Sequence, residues 1–281
     1  MARPYRSVLY IPAANARAME KARGLPTDAI IFDLEDAVAP AEKPAARDAL
    51  AAALADDYGP RARIVRINGL ATEWGGDDAR FCAGLDGADA VLIPKVDSAA
   101  DLDRVAAIIP DLPLWAMMET PSGMLNAPQI AAHSRLQGMV MGTNDLAKEL
   151  NSRFRPDRLP MLAGLGLCLL AAKAHGKVIV DGVFNAFKDD DGLRAECEQG
   201  RDMGFDGKTL IHPAQLAIAN EAFAPTEAEV DLARRQIDAF QSAAAEGKGV
   251  AVVDGKIVEN LHVETARKTL DRAKAIAAMA G

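Results

Sequence analysis

A (β/α)8 TIM barrel carrying a C-terminal extension of helices and a hairpin is the fold class that this sequence predicts, and three observations predict it. Eight short apolar runs alternate regularly with Ala-rich segments of helical periodicity. The runs are apolar throughout instead of alternating with polar residues, as suits parallel strands covered on both faces. The length of 281 residues holds eight such βα units, for which ~250 residues is typical. A doubly wound open sheet is the alternative arrangement of the same alternation.

The strands are expected in RSVLYIP (6–12), AIIFDLE (29–35), RIVRIN (63–68), AVLIPKV (90–96), LWAMMET (114–120), LQGMVMGT (136–143), KVIVDGVF (177–184) and GKTLIHP (207–213). Helical periodicity lies between them at 15–24, 42–56, 98–108, 159–175, 189–203 and 213–222. Residues 225–249 then read as one long helix, started by the capping-box spacing of Thr226 and Glu229 and stopped by Gly247 and Gly249. VAVVDGKIVE has the Asp-Gly of a tight hairpin, and NLHVETARKTLDRAKAIAAMA (260–280) reads as a final amphipathic helix. The division expected is a catalytic barrel over 1–224 and an extension over 225–281 that covers the barrel mouth or reaches a neighbouring subunit.

Composition narrows the function. Half the residues are apolar, enough for a large core, and a formal net charge of −8 leaves no basic stripe for a nucleic-acid backbone. Cys82, Cys168 and Cys197 are an odd number without C-x-x-C spacing, which argues for reduced thiols and a cytoplasmic protein. The N-terminal apolar run is too short for a signal sequence or a membrane span. GLGLC (164–168) lacks the preceding strand of a dinucleotide loop, and no G-x-S-x-G exists to suggest a serine hydrolase.

In a barrel of this class the chemistry sits at the C-terminal ends of the strands. Polar residues end the expected strands: Asp33, Glu35 and Asp36, then Arg66 and Asn68, Lys95, Glu119, Asn144 and Asp145, and His212. Glu119 and Asp145 are one βα step apart, so their carboxylates face one opening and repel unless a proton or a cation is shared. Oxygen ligands without useful Cys or His point to a hard cation, Mg2+ first and Mn2+ second. The bland alternative pairs Glu119 with Lys95 or Arg66 and leaves Asp145 to cap the following helix. Arg66 is a natural fork for a substrate carboxylate, or a counter-charge to the acidic mouth. Glu35 and Asp36 are candidates for accepting hydrogen bonds from metal-bound waters, or for capping the turn. His212 is either a contact to cofactor or substrate or a structural residue.

RSVLYIPAANARAMEKA, IIFDLEDAVAPAEK, VRINGL, VLIPKV, METPSG, GTNDLAKEL and GKTLIHPAQ, in this order, resemble the blocks of the citrate lyase β-subunit and malyl-CoA lyase family of metal-dependent CoA-ester enzymes. The resemblance implies a (β/α)8 barrel in a trimer or hexamer, with the C-terminal extension closing over a neighbour's site. It implies Glu119 and Asp145 as Mg2+ ligands, Arg66 on the substrate carboxylate and Asn144 alongside. It also places Tyr10, Arg17 and Lys21 in the stretch that meets CoA. Where family lyases carry an Asp in the C-terminal segment, donated to the adjacent subunit for proton transfer, this chain has Glu259. A carboxylate moved by roughly 1.5 Å is a misplacement that costs about 10²-fold in rate. With that departure the chain looks most like the hydrolytic branch, which cleaves the thioester of (3S)-malyl-CoA, with Glu259 or Glu35 as the base. Retro-Claisen cleavage to glyoxylate and acetyl-CoA or propionyl-CoA is the alternative. A non-catalytic acyl-CoA binding subunit is the alternative of another class.

Overall fold

The computed structural model describes residues 3–279. Ala280, the last residue of the expected final helix, lies outside them, as do the first two residues of the expected N-terminal stretch. Residues 5–223 form one compact unit, and residues 224–279 with 3 and 4 form another.

In the first unit eight parallel strands close on themselves in sequence order: β1 (Ser7–Pro12), β2 (Ala29–Asp33), β3 (Ala62–Arg66), β4 (Ala90–Ile93), β5 (Leu114–Met118), β6 (Leu136–Met141), β7 (Val178–Asp181) and β8 (Gly207–Leu210). Because β8 pairs with β1, the doubly wound alternative falls. The helices are α1 (Ala16–Ala22), α2 (Lys43–Leu54), α3 (Gly75–Ala83), α4 (Ala99–Ala106), α5 (Pro121–Leu125), α6 (Ala127–Ala131), α7 (Thr143–Glu149), α8 (Leu162–Ala174), α9 (Asp190–Met203) and α10 (Leu216–Ala222).

Strand side chains alternate between two cores. Val8, Ile31, Ile64, Leu92, Trp115, Met117, Val140 and Val180 fill the barrel interior, whereas Leu9, Ile30, Phe32, Val65, Val91 and Met118 pack outward among buried helix residues. Each such fully buried side chain contributes about 1.5–3 kcal/mol, and burial on both faces explains why the runs carry no polar alternation. Parity then matters for the site. Tyr10, Asp33, Arg66 and Glu119 are in step with the interior residues of their strands, so the same alternation that fills the barrel aims four polar groups into its C-terminal end.

Several strands stop earlier than their apolar runs. The run at 90–96 ends at Ile93 because Pro94 follows and Lys95 turns away with φ 48°. The run at 29–35 ends at Asp33, whose carboxylate accepts the backbone N–H groups of Glu35 and Ala37 and makes the turn itself. The short helices α3, α5 and α6 have no strong periodicity in sequence. Caps and tertiary contacts hold them: Thr120 Oγ1 accepts from Gly123 N at the start of α5, and Asp78 of α3 takes Arg47 and Asn68.

The second unit contains α11 (Glu227–Ala245), a two-stranded hairpin of β9 (Ala251–Val253) and β10 (Lys256–Val258), and α12 (Asn260–Met279). The Thr226–Glu229 capping box forms as expected. Asp254 and Gly255 both have positive φ, 49° and 74°, which a type I′ hairpin turn demands. Val253, Val258 and Val263 pack with Leu232, Ile237 and Phe240 as a core of its own. Among the described residues, no helix is long and apolar enough to cross a membrane.

Candidate active site

The C-terminal mouth of the barrel holds a cavity of about 300 Å³ lined by Tyr10, Asp33, Asp36, Arg66, Glu119, Asn144 and Asp145, with Met117, Met141 and Ile211 as its main apolar walls. Arg66, at the end of β3, is buried. Its Nε and Nη2 donate to the two oxygens of Asp33 at 2.7 and 2.6 Å, and its Nη1 lies 2.8 Å from Glu35 Oε2. Asp36 is further out, with an oxygen 3.7 Å from Nη1. The guanidinium also lies 5.0 Å from the Tyr10 ring. The fork edge expected to grip a substrate carboxylate is therefore taken by Asp33, because adjacent strands in register bring the two side chains together. Glu35, beside Arg66 Nη1, is buried and is not among the residues that line the cavity.

Glu119 follows β5 and is buried. Its Oε1 accepts the backbone N–H of Lys95 at 2.8 Å, and its Oε2 has no hydrogen bond among the described residues. The ion pair to Lys95 or Arg66 that sequence allowed for Glu119 is not formed. Lys95 Nζ instead faces Glu35 Oε1 at 3.7 Å. Burial pushes Glu119 up to about 7, Glu35 and Asp145 add to the push, and the Lys95 N–H opposes it. Burial likewise raises Glu35 to about 7 against the pull of Arg66. Lys95 is raised: partial burial opposes this, and the surrounding carboxylates outweigh it. The result is a mouth of crowded acids with fewer cations than anions.

Asp145 lies in the first turn of α7, half-buried, and its side chain makes no capping bond to that helix. Gly142 precedes the helix and touches Glu119 so closely that a Cβ there would come within 2.6 Å of Oε2. Among the described residues, no group of three or more His, Cys, Asp or Glu side chains is placed to hold a metal. Two carboxylates, one with an unclaimed oxygen, fit a small hard cation that keeps most of its waters. They do not fit a metal needing a full protein cage.

The other expected residues are distributed around this centre. Asn144 is exposed and exchanges two hydrogen bonds with Asn185, at 3.2 and 2.7 Å. Arg17 and Lys21 are exposed on α1, which leaves the mouth end of β1, and they do not line the cavity. His212 does not line it either. Its Nδ1 accepts from Ala214 N, and its ring stacks on Phe187 at 4.9 Å, so local capping and stacking account for it. Glu259 is exposed in the second unit, where its backbone carbonyl receives the first N–H groups of α12.

Sequence reasoning missed three supports. Buried Lys43 donates to the carbonyls of Leu34 and Glu35 and to Asn68 Oδ1, holding up the turn that carries Glu35. Asp33 was visible as a strand end but not as the partner of Arg66. Arg158, Asp181, Lys208 and Glu196 form a buried, charge-balanced cluster below a larger cavity of about 440 Å³. That cavity is walled by Phe154, Met161, Phe184 and Ala195 and shares Thr143 and Val183 with the carboxylate cavity. The converging, perturbed acids make the smaller cavity the candidate reaction centre.

A closed parallel barrel with its acids gathered at the C-terminal mouth defines an enzyme of the TIM-barrel class. Residues 6–213 match the sequence profile of the HpcH/HpaI aldolase/citrate lyase family, and the chain belongs to that family. Residues 163–277 also match a profile described as a C–C bond lyase of the TIM-barrel fold. The chain is 70% identical over 278 residues to a (3S)-malyl-CoA thioesterase of Cereibacter sphaeroides, covering 99% of this chain and 97% of that one. It is 36% identical to the citrate lyase β-subunit of Escherichia coli, covering 97% and 94%. Among solved structures it resembles the CitE protein of Mycobacterium tuberculosis in complex with magnesium, acetoacetate and coenzyme A, with a TM-score of 0.81, 31% identity and coverage of 97% and 98%.

Proposed function

We propose that this chain is a Mg2+-dependent thioesterase that hydrolyses (3S)-malyl-CoA to (S)-malate and CoA. The observation that carries the reading is the 70% identity over 99% of the chain to a curated enzyme of that activity, joined to a mouth whose oxygen donors suit Mg2+. Glu119 and Asp145 would hold the ion, which when bound supplies positive charge to the oxygens of the substrate. Glu35 is held near neutrality by burial, so it takes a proton from a water and returns it at working pH. That water attacks the thioester carbonyl, the C–S bond breaks, and CoA leaves with its sulfur protonated. Arg66 Nη1, fixed by Asp33, orients Glu35 and offers a hydrogen bond to the acyl group. Arg17 and Lys21 supply positive charge for the phosphates of CoA.

Glu259 belongs to the extension, and in this reading a second copy of the chain donates it to the mouth as a further proton-transfer group. The extension then covers a neighbouring subunit in a homo-oligomer. Three buried reduced thiols agree with a cytoplasmic setting. Retro-Claisen cleavage remains the second reading, favoured by the C–C bond lyase match. Product analysis on (3S)-malyl-CoA with Mg2+ and with chelator separates the two. Thiol with malate and no glyoxylate supports hydrolysis, and glyoxylate with acetyl-CoA replaces it with the lyase.

A further inference from the structure

Lys95 has two jobs that its backbone makes compatible. At φ 48° it turns its N–H toward Glu119 Oε1 while its side chain runs to Glu35. A non-glycine residue in this conformation is uncommon and costs energy, so the surrounding structure must hold it there. The charges around it are unequal. Arg66 is committed to Asp33 and to the inner oxygen of Glu35. Asp36 lies 3.7 Å from Arg66 Nη1, and beyond Arg66 the cation that Glu119, Asp145 and the outer oxygen of Glu35 act on is the Lys95 ammonium. That ammonium is half exposed and 3.7 Å from its partner, without a hydrogen bond, so it is held by the field of several acids rather than by one bond.

We propose that Lys95 is a resident counter-cation, which holds the acids of the metal-free mouth together and competes with the divalent ion for them. The inference rests on the reading of Glu119 and Asp145 as ligands. Lys95 does not line the cavity but interacts electrostatically with Glu119 and Asp145, so a divalent ion adds two charges beside an ammonium that the same carboxylates attract, and the ammonium opposes its entry and swings outward on its flexible stem as the ion binds. Lys95 thereby lowers metal affinity while stabilising the empty site, the opposite of what a residue serving only to pair with Glu35 would do.

The test is calorimetric titration of the metal-free, full-length protein with Mg2+ alone and with Mn2+ alone, comparing wild type, Lys95→Asn and Lys95→Arg. Asparagine tolerates the left-handed backbone and removes the charge. The expected result is tighter binding by Lys95→Asn, on the order of three- to tenfold at low salt, with the gap shrinking as salt screens it. Lys95→Arg retains wild-type affinity. Metal-free Lys95→Asn melts below wild type, and saturating Mg2+ closes the gap. Unchanged or weaker metal binding by Lys95→Asn, with wild type binding normally, overturns the inference alone. Absence of divalent-ion binding by wild type overturns the ligand reading and the inference with it.

Discussion

Gly142→Ala tests the mouth with a single methyl group. Gly142 has φ −100° and ψ 73°, a negative φ, so the substitution acts through the added atom. That atom would lie 2.3 Å from Glu119 Cβ, 2.6 Å from Glu119 Oε2 and 3.1 Å from Met117 Cε, where ordinary contact begins at 3.4 Å. The clash at Cβ is the severe one, because a rotamer change does not move that atom. The end of β5 and the start of α7 must part, and the Glu119 carboxylate retreats by about 1 Å, a displacement that costs about 10²-fold in rate. Overpacking of this kind costs about 1–3 kcal/mol. Thiol release from (3S)-malyl-CoA at saturating Mg2+ reads the rate, calorimetry reads metal affinity, and thermal melting reads stability. The protein's own thiols leave the assay clean, since Cys82, Cys168 and Cys197 are buried and burial pushes Cys168 and Cys197 up to about 12. Wild-type turnover and affinity in Gly142→Ala would refute the claim that the Glu119 carboxylate must sit where it does.

Glu119→Ala abolishes Mg2+ binding and thiol release while the barrel stays folded. Its folded-state value is raised from 4.5 to about 7, so its ionisation costs stability progressively as pH rises through that window. Metal-free Glu119→Ala accordingly melts no lower than wild type at pH 8, and a large drop there would contradict the burial argument. For the same reason Mg2+ affinity of wild type rises from about pH 5 to about pH 7 and flattens above about 7. Calorimetry in buffers of different ionisation enthalpy detects the proton released on the acid side, and a flat profile would count against a carboxylate ligand. Asp33→Asn strips the Arg66 fork of its charged partner. Stability falls toward the lower end of the about 3–5 kcal/mol lost when a buried pair is broken, because Glu35 stays 2.8 Å from Nη1; denaturant unfolding measures it. Glu259→Gln lowers kcat more than it raises KM if the group transfers protons, and steady-state kinetics with both parameters unchanged would return it to a surface role.

The barrel was legible because its cause is local and repeated. Each apolar run, such as AIIFD or LWAMM, must be buried on both faces, and eight of them separated by helices leave few arrangements. The strand-end acids were legible for the same reason, since Asp33 and Glu119 are the first polar residues of their runs. Pairing was not legible. Nothing in VRIN says that Arg66 will spend its fork on Asp33, because that follows from the β2–β3 register and from an alternation that turns both side chains inward. Likewise the run through Lys95 reads as strand, and only the structure shows the left-handed residue that offers its N–H to Glu119. The sequence by itself determined the number of strands and the strand-end acids that gather at the C-terminal mouth of the barrel. Tertiary structure alone decided which acid faces which cation, because charges choose partners by distance, and distance is set by register, twist and packing rather than by position in the chain.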